Sequence, residues 1–243
     1  MKALSAPRRL RQPPVREVLL RYYNASRRQC RDSIIDAAPH RRDARYLDCG
    51  CDDGSFTLEV ADAIRPREIF GIEIDDAAAE RARAHDIQVV GKDLNDPFPL
   101  PDDHLDLVTA NQVIEHLADT DSFVREIFRV LKPGGYAVVS TNNLASWHNL
   151  VPLVLGYQPF PADVSNITSV GKLIPLFAGD GGSWAHLRIF TSASLRGIFE
   201  QHGFEVERLA GVGYYPFPPS IARRLSRLDH RHSAYLTVRV RKP

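Results

Sequence analysis

The strongest constraint on this chain is a rhythm. Between residues 45 and 141, short apolar runs alternate with stretches of helical spacing. The runs at 45–49, 68–74, 87–90, 105–110 and 136–141 read as strands, and 55–64, 76–85 and 121–131 as helices. Apolar strands separated by helices predict a parallel sheet covered on both faces. Pro66 lies just past the first helix, and Lys132-Pro133-Gly134-Gly135 stops the third.

After Asn143 the rhythm breaks. Residues 144–190 hold Pro152, Pro159, Pro161, Pro175 and several glycines, and read as an insertion over the sheet edge. A helix over 191–202 follows, capped by Ser192 or Ser194 and ended by Gly203. A strand over 204–209, a Pro-rich loop and a closing edge strand over 234–241 complete the chain. Before the sheet, a Pro/Arg-rich arm leads into a helix with Val15, Val18, Leu19, Tyr22 and Tyr23 at amphipathic spacing. The expected organisation is an arm and helix (1–45), then an α/β domain (46–243) carrying the insertion.

The sharpest local signal is Tyr46-Leu47-Asp48-Cys49-Gly50-Cys51-Asp52-Asp53-Gly54, a strand running into a glycine turn and a helix. Doubly wound sheets bind ligands in such crevices. Gly50 lets a ligand press on the backbone, and Gly54 lets helix and strand approach. The spacing is Gly-x-x-x-Gly, not the Gly-x-Gly-x-x-Gly of dinucleotide sites. Asp48, Asp52 and Asp53 would repel a pyrophosphate and attract a cationic ligand, which argues against a nicotinamide oxidoreductase. One strand later, Glu73, with Asp75 as second choice, is placed to accept from ribose hydroxyls; the plain reading of both acids is helix capping.

The charges nearly cancel, 31 Lys and Arg against 30 Asp and Glu, so the basic excess of a dedicated nucleic-acid binder is missing. Arginines cluster at both ends, from Arg8 to Arg31 and from Arg223 to Arg241. They read as solvated surface, or as a basic rim for an anionic acceptor or membrane headgroup. Cys30, Cys49 and Cys51 form neither a disulfide framework nor a CxxC pair, as expected of reduced thiols in the cytoplasm. Neither a signal peptide nor a membrane span is expected.

From Tyr46 to Arg241 the chain resembles the class I S-adenosylmethionine-dependent methyltransferases, in their small-molecule branch. The resemblance is carried by five motifs in order: the glycine turn, Gly71-Ile72-Glu73-Ile74, Lys92-Asp93-Leu94, Ala110-Asn111-Gln112-Val113-Ile114-Glu115-His116-Leu117 and Arg129-Val130-Leu131-Lys132-Pro133-Gly134-Gly135. It implies a doubly wound, Rossmann-like, mostly parallel seven-stranded sheet with an antiparallel edge strand, and S-adenosylmethionine as cofactor. It places Asp48 and Gly50 at the methionine end, Glu73 at the ribose, Asp93 and Leu94 at the adenine, and Asn111 near the sulfonium. The family commonly has glycine where Asp52 stands; aspartate tolerates left-handed backbone better than most residues.

The implied activity is methyl transfer, at oxygen, to a small-molecule, glycan or lipid-linked acceptor shaped by the insertion's Trp147, Tyr157, Phe160 and Trp184 with Asn142, Asn143, Asn149 and Asn166. A hydroxyl acceptor needs a base, and His116, His148 and His186 are the candidates. No spacing in the sequence suggests a metal site. The alternative is a catalytically inactive S-adenosylmethionine-binding regulatory or partner protein, supported by Asp52 alone. A nucleic-acid methyltransferase is disfavoured because Asn111-Gln112-Val113-Ile114 replaces the Asn/Asp-Pro-Pro-Tyr of base-amino methylation.

Overall fold

Adjacent residues of the central strands bury their side chains in opposite layers, which is how an uninterrupted apolar run becomes the middle of a three-layer protein. The computed structural model describes residues 14–165, 167–173 and 186–243. Leu47, Val108 and Val139 enter a core with Phe123 and Ile127, while Tyr46, Leu107 and Val138 enter another with Ile34, Val60 and Ile64. The strands are β1 (Arg45–Cys49), β2 (Glu68–Ile72), β3 (Gln88–Gly91), β4 (Leu105–Asn111), β5 (Leu131–Asn142), β6 (Glu205–Val212) and β7 (Tyr235–Arg241), in the order β3-β2-β1-β4-β5-β7-β6. β1 to β5 are parallel, and β7 pairs antiparallel with both β5 and β6.

The helices are α1 (Pro14–Ala37), α2 (Ser55–Ile64), α3 (Asp76–Arg83), α4 (Thr120–Val130), α5 (Trp147–Val154), α6 (Ser192–Gln201) and α7 (Pro219–Leu228). Capping explains several boundaries. The Asp75 carboxylate accepts from Ala78 N, the Asp119 carboxylate from Ser122 N, and the Thr191 hydroxyl from Ser194 N. None of the described helices is long and apolar enough to cross a membrane.

The structure corrects four expectations. The closing strand is not at the edge. β7 lies between β5 and β6 because Tyr235, Leu236, Val238 and Val240 are buried, whereas β6 carries the exposed Glu205, Glu207 and Arg208 that an edge tolerates. The cap of α6 is Thr191, with Ser194 completing a capping box rather than acting as the N-cap. Lys132-Pro133-Gly134-Gly135 begins β5 instead of preceding it, through a register shift between Leu105 and Leu107. The Pro-rich loop after β6 contains α7, because Pro219 occupies its first helical position. The arm over 1–13, Pro175, Asn166 and Trp184 lie outside the described residues.

The insertion is tied to the sheet by buried amides. Asn143 Nδ2 donates to Arg231 O (2.8 Å) and Ser233 O (2.7 Å). Asn149 Nδ2 donates to Asn143 O (2.9 Å), and its Oδ1 accepts from Phe160 N (2.8 Å). Trp147 Nε1 donates to Tyr214 Oη (2.8 Å), and its ring stacks on His232. These asparagines are architectural. Where the insertion returns, Leu187 N and Arg188 N both donate to Glu115 O (2.7 and 3.0 Å).

Candidate functional site

At the carboxyl end of β1 the chain turns through three left-handed residues, Gly50 (φ 73°), Asp52 (φ 48°) and Gly54 (φ 82°). Asp52 therefore adopts the backbone that the family's glycine would supply. Gly50 N and Cys51 N both donate to Ile72 O (2.8 and 3.2 Å), which ties the turn to β2. A Cβ at Gly50 would lie 2.7 Å from Val113 Cγ2, so here glycine is required by the chain itself as well as by any ligand.

A cleft of about 1090 Å³ opens over this turn and the ends of β1, β4 and β5. Asp48, Gly50, Asn111, His116 and His186 all line it. Asp48 is 2% exposed; its Oδ1 accepts from Thr109 Oγ1 (2.6 Å) and its Oδ2 from Thr57 Oγ1 (2.7 Å). Burial pushes its carboxyl up to about 6, against the pull of those hydroxyls. The Asn111 Oδ1 accepts from Ser140 Oγ (2.9 Å).

The other predicted residues stand apart from this group. Glu73 does not line the cleft, yet its Oε2 accepts from Asp52 N (2.9 Å) and its Oε1 from Asp75 N (2.9 Å), so it braces the turn. Asp75 is the cap of α3, its plain reading. Asp93 Oδ1 takes Asn95 N and Nδ2 (2.9 and 2.8 Å), and Leu94 is buried; neither is among the lining residues. Gly54 serves packing: a Cβ there would meet Ile87 Cδ1 at 2.5 Å and Ala82 Cα at 3.3 Å. His148 lines two further cavities instead of the cleft.

The electrostatics are also more mixed than the sequence suggests. Asp48 and Asp52 face the cleft, but Asp53 turns back so that its Oδ1 accepts from Ser55 N (3.0 Å) at the start of α2. Across the cleft, α1 contributes Arg27, Arg28 and Arg31 as one wall, with Tyr23. Arg31 pairs with Glu59 (2.9 Å) over the Phe56 ring. The site is thus anionic at the glycine turn and cationic on the helix opposite.

Sequence spacing missed a cluster at the mouth. Donor atoms of Glu115, His116 and His186 lie within 4.8 Å of one another, although His186 is 70 residues further on than His116 in the chain. The set has the chemistry of a metal site, which the sequence gave no reason to expect. Glu115 is 1% exposed, accepting from Thr141 Oγ1 (3.0 Å) and Asn142 Nδ2 (3.1 Å); burial raises its carboxyl to about 7. His186 Nδ1 lies 2.9 Å from Pro161 O, which can only accept, so the proton sits on Nδ1 and Nε2 is the accepting nitrogen, taken by the Asn142 amide. Asn142 Nδ2 is 3.2 Å from that Nε2, and burial lowers the imidazole's pKa. Asn142, noticed in the sequence only as an insertion polar group, is therefore the hinge between Glu115 and His186.

Glu73→Ala is expected to weaken binding of S-adenosylhomocysteine by about 1–3 kcal/mol, since the Asp52 N–H of the turn and the Asp75 N–H at the start of α3 lose their charged acceptor. Calorimetry giving wild-type affinity would show that the turn holds without it.

A methyltransferase domain model matches residues 21–209. A relative in Mycolicibacterium smegmatis, described as a "probable S-adenosylmethionine-dependent methyltransferase", is 33% identical over 201 residues, 82% of this chain and 64% of the relative. The 27-O-demethylrifamycin SV methyltransferase of Amycolatopsis mediterranei is 29% identical over 194 residues, 77% of this chain and 63% of that one. The chain therefore spans a little under two thirds of the length of these relatives. An S-adenosylmethionine-dependent methyltransferase structure from Mesorhizobium loti shares the fold, with a TM-score of 0.59 at 19% identity over 86% of this chain and 96% of that one. This chain belongs to the S-adenosylmethionine-dependent methyltransferase family.

Proposed function

We propose that this chain transfers the methyl group of S-adenosylmethionine to a hydroxyl oxygen of a small-molecule, glycan or lipid-linked acceptor. The observation that carries the reading is His186, whose Nδ1 faces the Pro161 carbonyl at 2.9 Å and whose Nε2 meets only the Asn142 amide at the mouth of a cleft floored by the buried Asp48.

The donor suits the cleft. Asp48 and Asp52 answer an ammonium and a sulfonium, and the arginines of α1 answer a carboxylate. The Glu73 carboxylate keeps lone pairs for ribose hydroxyls beside the two N–H groups it already takes. When bound, S-adenosylmethionine supplies a methyl group already activated by its cationic sulfur. The chain's remaining work is alignment and removal of the acceptor's proton. His186 takes that proton at Nε2 once the acceptor hydroxyl displaces the Asn142 amide, which keeps its bond to Glu115, and the Pro161 carbonyl keeps the ring in its tautomer and orientation. The buried Glu115, close to His186, stabilises the imidazolium that results. Asp52 keeps the turn geometry, so its departure from the family's glycine lends nothing to a non-catalytic reading.

Two measurements test this. Calorimetry should show uptake of S-adenosylhomocysteine and none of NAD; the reverse would sink the proposal. With an acceptor found by labelled-methyl screening, His186→Ala should lower kcat by about 10²-fold or more and leave S-adenosylhomocysteine affinity unchanged. Because burial lowers the His186 pKa, the acid limb of kcat/KM should fall below the ordinary histidine value of about 6.5. A limb well above that value, or full activity in the variant, would remove His186 as the base.

A further inference from the structure

Three cavities adjoin in series. The cofactor cleft shares Tyr23, Asn142, Phe160 and Tyr235 with a small chamber of about 30 Å³. That chamber shares His148, Phe160 and Tyr215 with an outer pocket of about 300 Å³. Polarity falls along the series. The cleft is walled by carboxylates, guanidinium groups and amides, whereas Trp147, Val151, Pro152, Leu173 and Phe217 dominate the outer pocket.

Apart from Gln158, the polar groups of the outer pocket do not spoil its apolar character. Lys172 lines it, yet its ammonium donates to Pro159 O, Phe160 O and Ala162 O at 2.7–3.0 Å and pairs with Asp163 at 3.1 Å, so only the aliphatic stem is presented. His148 sits with its ring edge-on to Phe160 and Tyr215, and burial pushes its pKa down to about 4. Tyr215 is different. Its buried hydroxyl has no hydrogen-bond partner among the described residues, and the residue lines both the small chamber and the outer pocket. A buried phenol without an acceptor costs free energy that a ligand oxygen would recover. At the rim, Trp147, Val151 and Phe217 remain 46%, 52% and 44% exposed, an apolar margin with nothing in this chain laid over it among the described residues.

We propose that the outer pocket is a second binding site, which holds the apolar tail of the methyl acceptor while its hydroxylated head lies at His186. The acceptor class is an amphiphile: a hydroxyl-bearing head, a carbonyl or ether oxygen at the junction to accept from Tyr215, and an alkyl or aryl tail against Val151, Leu173 and Phe217. The inference rests on the methyltransferase reading, which fixes the cleft as the place of reaction; the shared walls of the three adjoining cavities then direct the rest of the acceptor outward. Tail length would govern affinity, and head chemistry turnover.

The test uses n-alkyl β-D-glucosides from ethyl to octyl, below their micelle concentrations, titrated into the full chain saturated with S-adenosylhomocysteine. Affinity should rise with each methylene, by up to about fourfold per group, until the pocket is full. Val151→Glu should flatten that dependence. Val151 is half exposed on α5, so the fold should survive, and unchanged S-adenosylhomocysteine affinity checks this in the same cell. A 6-O-acyl glucose should lose several-fold in affinity on Tyr215→Phe, while a glucose joined to its alkyl chain through carbon, with no oxygen at the junction, does not. Chain-length dependence that persists in Val151→Glu, or that never appears, overturns the proposal. So does light scattering showing that the rim is covered by a second copy. Failure of the S-adenosylhomocysteine titration itself would instead strike at the methyltransferase reading.

Discussion

Gly54→Val is expected to cost the fold about 3–5 kcal/mol, enough to lower the melting temperature by roughly 10 °C or more in a chain of this size. Two independent penalties combine at this residue. The backbone has φ of 82°, where a β-branched side chain is a steric outlier. The new Cβ would also fall 2.5 Å from Ile87 Cδ1 and 3.3 Å from Ala82 Cα, between α2 and the element beside it. The Ile87 methyl can swing away; the α3 backbone at Ala82 cannot, so overpacking adds about 1–3 kcal/mol. Gly134 separates the two effects. It has φ of 75° and nothing within 4 Å of a Cβ, so Gly134→Val should pay the conformational penalty alone. Urea unfolding of both variants checks this; equal losses would show that the approach of α2 to α3 and β3 is looser than these distances imply.

The same glycine shows what could be read from the chain alone. Its spacing from Gly50, after an apolar strand, announced the turn because left-handed backbone and close helix approach are local demands. Asp52 is legible for the same reason, at φ of 48°. What was not legible is the outcome of competition between distant segments. The alternation at 234–241 suits an edge strand, but only the full set of pairings reveals that the charged β6 takes the edge and β7 the interior. Asp53 sits among the acids of the turn, yet its turning back to accept from Ser55 N depends on a rotamer that sequence does not specify. His186 meets Glu115 only because the insertion's return segment docks through Leu187 and Arg188 on the Glu115 carbonyl. The arginines of α1 could be read as solvated surface or as a basic rim, and the helix laid across the cleft favours the rim.

That wall of arginine makes the buried carboxylate opposite it the decisive charge, and Asp48→Asn is expected to separate stability from function. Folding raises the Asp48 carboxyl from 3.8 to about 6, chiefly through burial. The folded state therefore holds this proton more tightly than the unfolded chain. The resulting stabilisation is full below about pH 3.8 and is lost as pH rises through about 6. Above that, the ionised group sits in the fold at a cost of about 3 kcal/mol relative to its neutral form. An asparagine keeps the shape and can accept from Thr57 while donating to Thr109, whose hydroxyl then turns toward Tyr46. At pH 7.5 the variant should be more stable than wild type by about 1–3 kcal/mol. It should also bind S-adenosylhomocysteine and S-adenosylmethionine about 10- to 100-fold more weakly, because the charge facing the cationic end is gone. Wild-type affinity should decline as pH drops through about 6, where Asp48 takes up its proton, and this decline should be absent in the variant. Thermal melts at pH 5 and 7.5 beside titrations at both values decide it. A variant that is less stable at pH 7.5 yet binds normally would mean that Asp48 holds the β1–β4 seam together instead of serving the donor.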